Sequence, residues 1–273
     1  HRVVAPVRQA AAQARLSKIL NHSAALCLCY SAGMSKSSLD RILQSQGFGT
    51  RKWCRQLIEE GEVSVNGVIV TDYKQSVDTA GLRLRLFEED WDYREFVYIA
   101  LNKPADVECS RKPSHRPGVM TLLPEQFSWR GVQAIGRLDH DTTGLLLLTD
   151  DGSFNHAMSS PRRHVPKLYL ATTQEPVTPA LVSALLSGVQ LNDEPAPLAA
   201  LRCDPRGEHQ LEIVVEQGKY HQVKRMLAAA GNHCAALQRI AIGKLTLGSL
   251  DLEEGEWRYL DQAELDLLRA ESE

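Results

Sequence analysis

The sequence predicts an α+β protein: a small unit of two helices plus a small sheet, followed by a larger unit built on a largely antiparallel sheet. Three observations predict it. Two short helical segments are followed by an alternating run centred on Asn66-Gly67. Strand-like runs then recur between Val97 and Leu247 with only two helical patterns among them. Regular strand–helix alternation, the mark of a doubly wound parallel sheet, is missing.

In chain order, Leu39, Ile42 and Leu43 have helical spacing, and the segment stops at Gly47. A second helix is expected from about Arg51 to Glu60, with Trp53, Leu57 and Ile58 apolar and Gly61 as its stop. Val63-Ser64-Val65 and Val68-Ile69-Val70 flank Asn66-Gly67, a hairpin signal because a type I′ turn needs positive φ at both central residues. Arg83 to Phe87 reads as a further strand, and the acidic, aromatic stretch Glu88-Glu89-Asp90-Trp91-Asp92 as the start of a linker over 88–95. Beyond it, strands are expected at Val97–Leu101, Gly144–Thr149, Lys167–Thr173, Leu211–Val215 and Leu237–Leu247, and helices at Thr178–Ser187 and Tyr220–Ala230.

Composition removes several classes. The chain has 273 residues, 43% hydrophobic and 24% charged, enough apolar material for a sizeable core. Its 18 Gly and 12 Pro are too few for a collagen-like or low-complexity chain. No apolar run approaches the roughly 18 residues of a membrane-spanning helix. The six cysteines form no CxxC pair, so neither a zinc ribbon nor a dense disulfide scaffold is indicated, and reduced thiols in a cytoplasm are the simpler reading. The formal net charge of -3 hides a basic beginning and an acidic end: residues 1–33 hold four basic residues and no acid, while Asp251 to Glu273 holds nine acids and two bases. A nucleic-acid partner must therefore be argued from local clusters. Residues 1–33 have a composition unlike the rest; they read as a targeting leader or, more simply, as translated sequence upstream of Met34, and are expected to be poorly ordered.

Arg51, Lys52 and Arg55 cluster on the second short helix, with Arg41 and Lys74 as neighbours. Such a cluster is either a solvated helix face or a phosphate grip. Leu39-Asp40-Arg41, Gly47, Arg51-Lys52, Leu57-Ile58-Glu59-Glu60-Gly61 and Val63-Ser64-Val65-Asn66-Gly67 together resemble the S4 RNA-binding domain over residues 36–87. The resemblance implies one basic face for structured RNA, contributed by the helix pair and the hairpin. Thr50 stands where that family usually has Ser, which keeps a hydroxyl for capping. Trp53 stands where a smaller residue is common.

The most informative stretch is Gly136-Arg137-Leu138-Asp139-His140-Asp141-Thr142-Thr143-Gly144, followed by Leu145 to Leu148 and Thr149-Asp150-Asp151-Gly152. It is a polar turn with two carboxylates leading into a buried strand. Asp139 and Asp141 either hydrogen-bond the turn itself or face a ligand. On the helix near Tyr220, Val223, Met226, Leu227 and Ala230 make the apolar stripe; Lys224 flanks it, whereas Arg225 points largely away, toward solvent or phosphate. Lys224 is thus the better partner for a carboxylate, and an adjacent cation would keep Asp139 ionised. Leu101-Asn102-Lys103-Pro104, Ser160-Pro161-Arg162-Arg163, Lys167-Leu168-Tyr169 and Gly218-Lys219-Tyr220-His221-Gln222-Val223-Lys224-Arg225-Met226 accompany this stretch. Together, from about Tyr98 to Leu260, they resemble the catalytic domain of RNA pseudouridine synthases. The Gly-Arg-Leu-Asp form and the preceding S4-like unit point to the RsuA branch, and the small-subunit rRNA form of it above the large-subunit one. Pro166 and Leu168, where an acidic residue and Thr are commoner, depart from the pattern.

The resemblance implies a pseudouridine-synthase domain over 96–273 with a mixed, largely antiparallel sheet. It implies Asp139 as catalytic carboxylate, Arg137 holding the target uridine out of its stack, Tyr169 stacking on the uracil and Lys224 pairing with Asp139. Lys103, Arg162, Arg163, Lys167 and Arg225 join Arg41, Arg51, Lys52, Arg55 and Lys74 as expected RNA contacts. The expected partner is ribosomal RNA, free or in an assembling small subunit, for a monomeric cytoplasmic enzyme without a membrane role. No cofactor or metal is expected: the reaction is an isomerisation, the chain has neither a dinucleotide fingerprint nor a GxxxxGK[ST] loop, and its histidines lack paired ligand spacing. The competing expectations are the same chemistry on large-subunit rRNA, a non-catalytic ribosome-assembly factor, and a glycosidase acid pair, which fits poorly because Asp139 and Asp141 share one turn.

Overall fold

In a computed structural model, which describes residues 36–110, 112–160 and 165–269, structure begins with strand β1 (Lys36–Ser38) and helices α1 (Leu39–Ser45) and α2 (Arg51–Glu59). The expectations for residues 1–33 lie outside the described residues. The Thr50 hydroxyl caps α2 by accepting from the Trp53 amide at 3.3 Å. Leu39, Ile42 and Leu43 pack with Cys54, Leu57 and Ile58 to form a buried seam between the two helices. Strands β2 (Val63–Val65) and β3 (Val68–Ile69) pair antiparallel across Asn66 and Gly67, whose φ values of 49° and 85° are those a type I′ turn demands.

Strand β4 (Ser76–Asp78) pairs with β1, and β5 (Arg83–Leu86) extends the hairpin sheet. The stretch expected to be a linker is instead largely a fourth strand of this sheet, β6 (Glu89–Asp92), antiparallel to β5 through a turn at Phe87 and Glu88, both at positive φ. Its acids read as a linker because their partners lie across the ladder: Asp92 meets Arg83 at 3.3 Å and Asp90 meets Arg85 at 3.7 Å.

Arg130 locks this unit to the rest. Its guanidinium, almost fully buried, bonds Asp150 at 2.8 Å, Gln46 Oε1 at 2.9 Å and the carbonyls of Arg94 and Glu95 at 2.9 and 3.1 Å. Asp150 in turn accepts the Val97 amide at 2.8 Å. A buried ion pair is tolerated where its remaining donors are satisfied, as they are here.

The larger unit contains β7 (Tyr98–Lys103), a 3₁₀ turn at Val119–Leu122, α3 (Glu125–Arg130), β8 (Gln133–Ile135), β9 (Thr143–Thr149) and α4 (Gly152–Ser159). It continues through β10 (Lys167–Thr173), α5 (Pro179–Ser187), β11 (Arg202–Gly207), β12 (Gln210–Val215), α6 (Gln222–Ala229) and β13 (Cys234–Ile242). The short β14 (Leu245–Thr246), α7 (Leu247–Leu250), β15 (Trp257–Tyr259) and α8 (Gln262–Arg269) complete it. Its sheet runs β11-β12-β10-β13-β9-β7-β15, with β14 on β13 and β8 on β9. Every pair is antiparallel except β9 with β13, so the sheet is mixed and largely antiparallel, as expected. Leu145 and Leu147 enter one apolar cluster and Leu146 and Leu148 another, because both faces of β9 are covered. Among the described residues no helix is long and apolar enough to cross a membrane.

The parallel pair is short: only Gln238 with Thr143 and Arg239 with Gly144. It joins two antiparallel halves, and Gly144 permits it. Its φ is +98°, and a Cβ there would lie 2.3 Å from the Arg239 carbonyl oxygen and 2.9 Å from its nitrogen. The Gly144→Ala variant should therefore lose about 3 kcal/mol of stability through strain and forced separation of β9 from β13. Urea denaturation checks this; parent-like stability would show that the junction tolerates opening.

Candidate active site

The turn carrying Asp139 is held from below. Lys103, at the end of β7, is fully buried, and its ammonium donates to the carbonyls of Pro104 at 2.8 Å, His140 at 3.2 Å and Thr142 at 2.9 Å. Burial pushes the Lys103 pKa down, and Cys109, Asp141, Asp139 and Asp106 oppose that shift. Lys103 was expected to meet RNA phosphate; this placement corrects the expectation, since a fully buried ammonium spent on three carbonyls has no access to a ligand. The Thr142 amide closes the turn on the Asp139 carbonyl at 3.1 Å.

Above the turn lies α6. Lys224 Nζ stands 3.1 Å from Asp139 Oδ2 and 2.6 Å from Asp141 Oδ1. The pairing of Lys224 with Asp139 expected from the helical wheel is thus present, and Asp141 shares it. Burial alone would lower the Lys224 pKa, but the hydrogen bonds from Asp141 and Asp139 outweigh it and raise it. Burial likewise works against an ionised Asp141, and the bond to Lys224 overrides it, so that carboxyl sits below its ordinary value. On the other side, His221 Nε2 lies 3.2 Å from Asp139 Oδ1. Each carboxylate oxygen of Asp139 therefore faces a different nitrogen. Asp139 keeps a side-chain exposure of 25%, so the carboxylate is held yet still open to a ligand.

Sequence reading missed His221. The available signal was its position three residues before Lys224, which places both on one side of the helix start.

Tyr169 sits on β10 opposite Arg239, which is itself opposite Gly144, so the junction carries the tyrosine and the aspartate turn two strands apart. Tyr169 is half-buried between the clusters of the two halves. Arg137 is exposed two residues before Asp139. Two further expected RNA contacts are otherwise engaged. Lys167 donates to the carbonyls of Val165 at 2.7 Å and Glu216 at 3.0 Å; burial, with Arg239 nearby, pushes its pKa down to about 8. That arrangement closes the end of β10 and leaves no free ammonium for phosphate. Arg225, expected to face solvent or phosphate, pairs with Asp193 and donates to the Tyr220 carbonyl at 3.0 Å. Arg162 and Arg163 lie outside the described residues.

On the first unit, Arg51 and Arg55 converge through their Nε atoms on Asp40 Oδ2 at 2.7 and 2.8 Å, and the Ser38 hydroxyl donates to Oδ1 at 2.6 Å. Asp40 is buried while both arginines stay partly exposed. Arg55 also lies over the Tyr73 ring at 4.8 Å and Lys74 over the same ring at 5.7 Å. Arg41 and Lys52 are exposed on the same helix pair. The buried acid thus fixes two cations that would otherwise repel one another. Burial alone would raise the Asp40 pKa, but hydrogen bonds from Arg51, Ser38 and Arg55 hold it well below the carboxylate range.

Comparison with known proteins agrees with this geometry. Residues 97–229 match the family model for RNA pseudouridylate synthase and residues 38–83 that for the S4 domain. The chain is 36% identical to an uncharacterized RNA pseudouridine synthase, YtzG, of Bacillus subtilis, covering 84% of this chain and 97% of that one. It is 37% identical, with the same coverages, to the ribosomal small subunit pseudouridine synthase A of Vibrio parahaemolyticus. The enzyme of that name from Escherichia coli is 42% identical over 62% of this chain and 72% of its own. A crystal structure of a pseudouridylate synthase superposes with a TM-score of 0.59 at 34% identity, covering 85% of this chain and 99% of that one.

Lys103→Met should take the donor from three main-chain carbonyls, that of Thr142 buried, and cost about 3 kcal/mol, with loss of activity from a loosened Asp139 turn; denaturation and turnover measured together would check it, and unchanged values would remove Lys103 from the support of the site. Asp40→Asn should cost about 2 kcal/mol at neutral pH. Because the folded carboxyl is depressed, its contribution is complete above the unfolded value of about 3.9 and fades as pH falls through the folded value, so the gap between parent and variant should narrow below about pH 4. Melting curves across pH would show this, and a constant gap would contradict it.

Proposed function

The chain belongs to the RNA pseudouridine synthase family, and from that premise we infer that it converts a specific uridine of small-subunit ribosomal RNA to pseudouridine in the cytoplasm, with Asp139 as the catalytic carboxylate. The observation that carries the assignment of Asp139 is its double grip: Lys224 at 3.1 Å on one oxygen and His221 at 3.2 Å on the other, on a turn anchored by buried Lys103. The choice of target rests on the relatives of Vibrio parahaemolyticus and Escherichia coli, whose names specify the small subunit.

The reaction breaks the bond from ribose C1′ to uracil N1 and makes one to C5. The C5 hydrogen leaves as a proton and N1 gains one, so atoms and electrons balance without an oxidant or a hydrolytic water. A carboxylate suits this because it can form and later release an ester, replacing one difficult step by two easier ones. Lys224 and His221 hold that carboxylate in place on its turn. The uridine must leave its stack, at a cost of a few kcal/mol. Exposed Arg137 fills the vacated space with a planar cation that also meets phosphate. Tyr169 offers its ring to the uracil face. Arg41, Arg51, Lys52, Arg55 and Lys74 bind the RNA backbone, supplying affinity at a distance from the chemistry.

Pseudouridines mapped in both ribosomal RNAs, with and without the gene, should show one small-subunit position that disappears on deletion and returns with the parent protein. Asp139→Asn should bind RNA with the same salt dependence yet restore nothing. Loss of a large-subunit position instead would move the target, and restoration by the variant would remove Asp139 from the chemistry.

A further inference from the structure

His221 is held in an unusual way. Its backbone lies in the left-handed region, at φ 46° and ψ 35°, at the N-cap of α6. Non-glycine residues are uncommon there, and the conformation persists only where the surroundings over-determine it. An N-cap side chain ordinarily bonds the first free amides of its helix. The His221 ring makes no such cap; its Nε2 meets Asp139 Oδ1 at 3.2 Å. One face of the imidazole is covered by the Tyr220 ring, stacked at 3.8 Å and 18°, although Tyr220 is itself 73% exposed.

The charges explain why Asp139 gains from a second donor. Lys224 is the ammonium shared by two carboxylates, and its shorter contact, 2.6 Å, goes to Asp141 rather than Asp139. Lys224 reaches Oδ2 of Asp139, and Oδ1 is left to another donor. The groups around the ring are Asp139 and Asp141 of the turn, Lys224 one helical turn along, Tyr220 stacked on it, and Arg225, whose amide bonds the His221 carbonyl at 3.0 Å. His140 lies between the two aspartates in the turn, and Cys234 on β13 lies within electrostatic reach of Lys224 and Asp141.

We propose that His221 is a positioning residue for Asp139, its imidazole donating from Nε2 to orient the carboxylate oxygen that Lys224 does not hold. The inference rests on Asp139 being the reacting group. A neutral Nε2–H orients the carboxylate without neutralising it.

Tritium release from small-subunit rRNA transcripts labelled at uracil C5 provides the test, with kcat and KM measured. His221→Ala should lower kcat about 10- to 100-fold with little change in KM. His221→Gln, whose amide also donates, should recover much of that loss. Circular dichroism and melting of both variants show whether they fold; if His221→Ala fails to fold, His221→Leu, which fills the space without a donor, takes its place in the comparison with His221→Gln. Parent-like kcat in His221→Ala, or no recovery in His221→Gln, would overturn the proposal. Asp139→Asn in the same assay separates the two readings. An inactive Asp139→Asn beside a normal His221→Ala defeats only the role of His221, whereas an active Asp139→Asn defeats the assignment on which it rests.

Discussion

The structure of the larger unit depends on one close approach, between β9 and β13 at Gly144. The two halves of its sheet are antiparallel ladders with separate apolar clusters, and the parallel register of Thr143-Gly144 with Gln238-Arg239 joins them. Arg239, buried on β13, reinforces the junction by donating from Nε to the Leu145 carbonyl at 2.8 Å. Asp139 opens the turn that delivers the chain to this junction, Tyr169 lies across β13 from it, and α6 packs onto the second half. A site built where two rigid halves meet inherits its precision from both, and a shift of either ladder would move the carboxylate relative to its cations.

Charge around Asp139 is arranged in layers. Lys103 is sealed beneath the turn and spends its donors on main-chain oxygens, so its effect on the carboxylates is electrostatic and architectural. Lys224 lies at the surface of the layer and bonds both Asp139 and Asp141. The bond to Lys224 holds the Asp141 carboxyl below its ordinary value, so the turn carries a fixed negative neighbour beside Asp139. The same logic recurs on the first unit with the signs reversed: one buried carboxylate, Asp40, gathers two arginines that stay partly exposed. In both places a buried charge is affordable because it organises opposite charges at the surface.

The two units are tied through Arg130, which bonds Gln46 of the first, the carbonyls of Arg94 and Glu95 between them, and Asp150 at the end of β9. Gly47 lies against the α3 backbone at Gln126, where a Cβ would come within 2.1 Å of the carbonyl oxygen. The basic face of the first unit is therefore presented at a set position relative to the Asp139 turn. A rigid spacing of this kind lets backbone contacts on one unit select which nucleotide reaches the other.

Local physics made much of this legible before any coordinates. Helix periodicity, the Asn-Gly turn and the four-leucine run each depend on residues near one another in sequence, and each appears where the pattern places it. The pairing of Lys224 with Asp139 was legible because the apolar stripe of one helix orients its flanks. The errors share a different cause. Lys103, Lys167 and Arg225 read as free cations because their partners are main-chain carbonyls, and an aspartate in the last case, brought in by the fold; the acids of β6 read as a linker because their arginines stand on the adjacent strand. His221 was overlooked because its left-handed backbone turns a residue next to an ordinary helix start toward a turn more than 80 positions earlier. Sequence by itself determined the elements, the family and the acidic turn, since these follow from periodicity and from a long contiguous motif. Tertiary structure alone decided which cations are spent and which are offered, because hydrogen bonding across strands depends on register and burial, and neither is written at any single position.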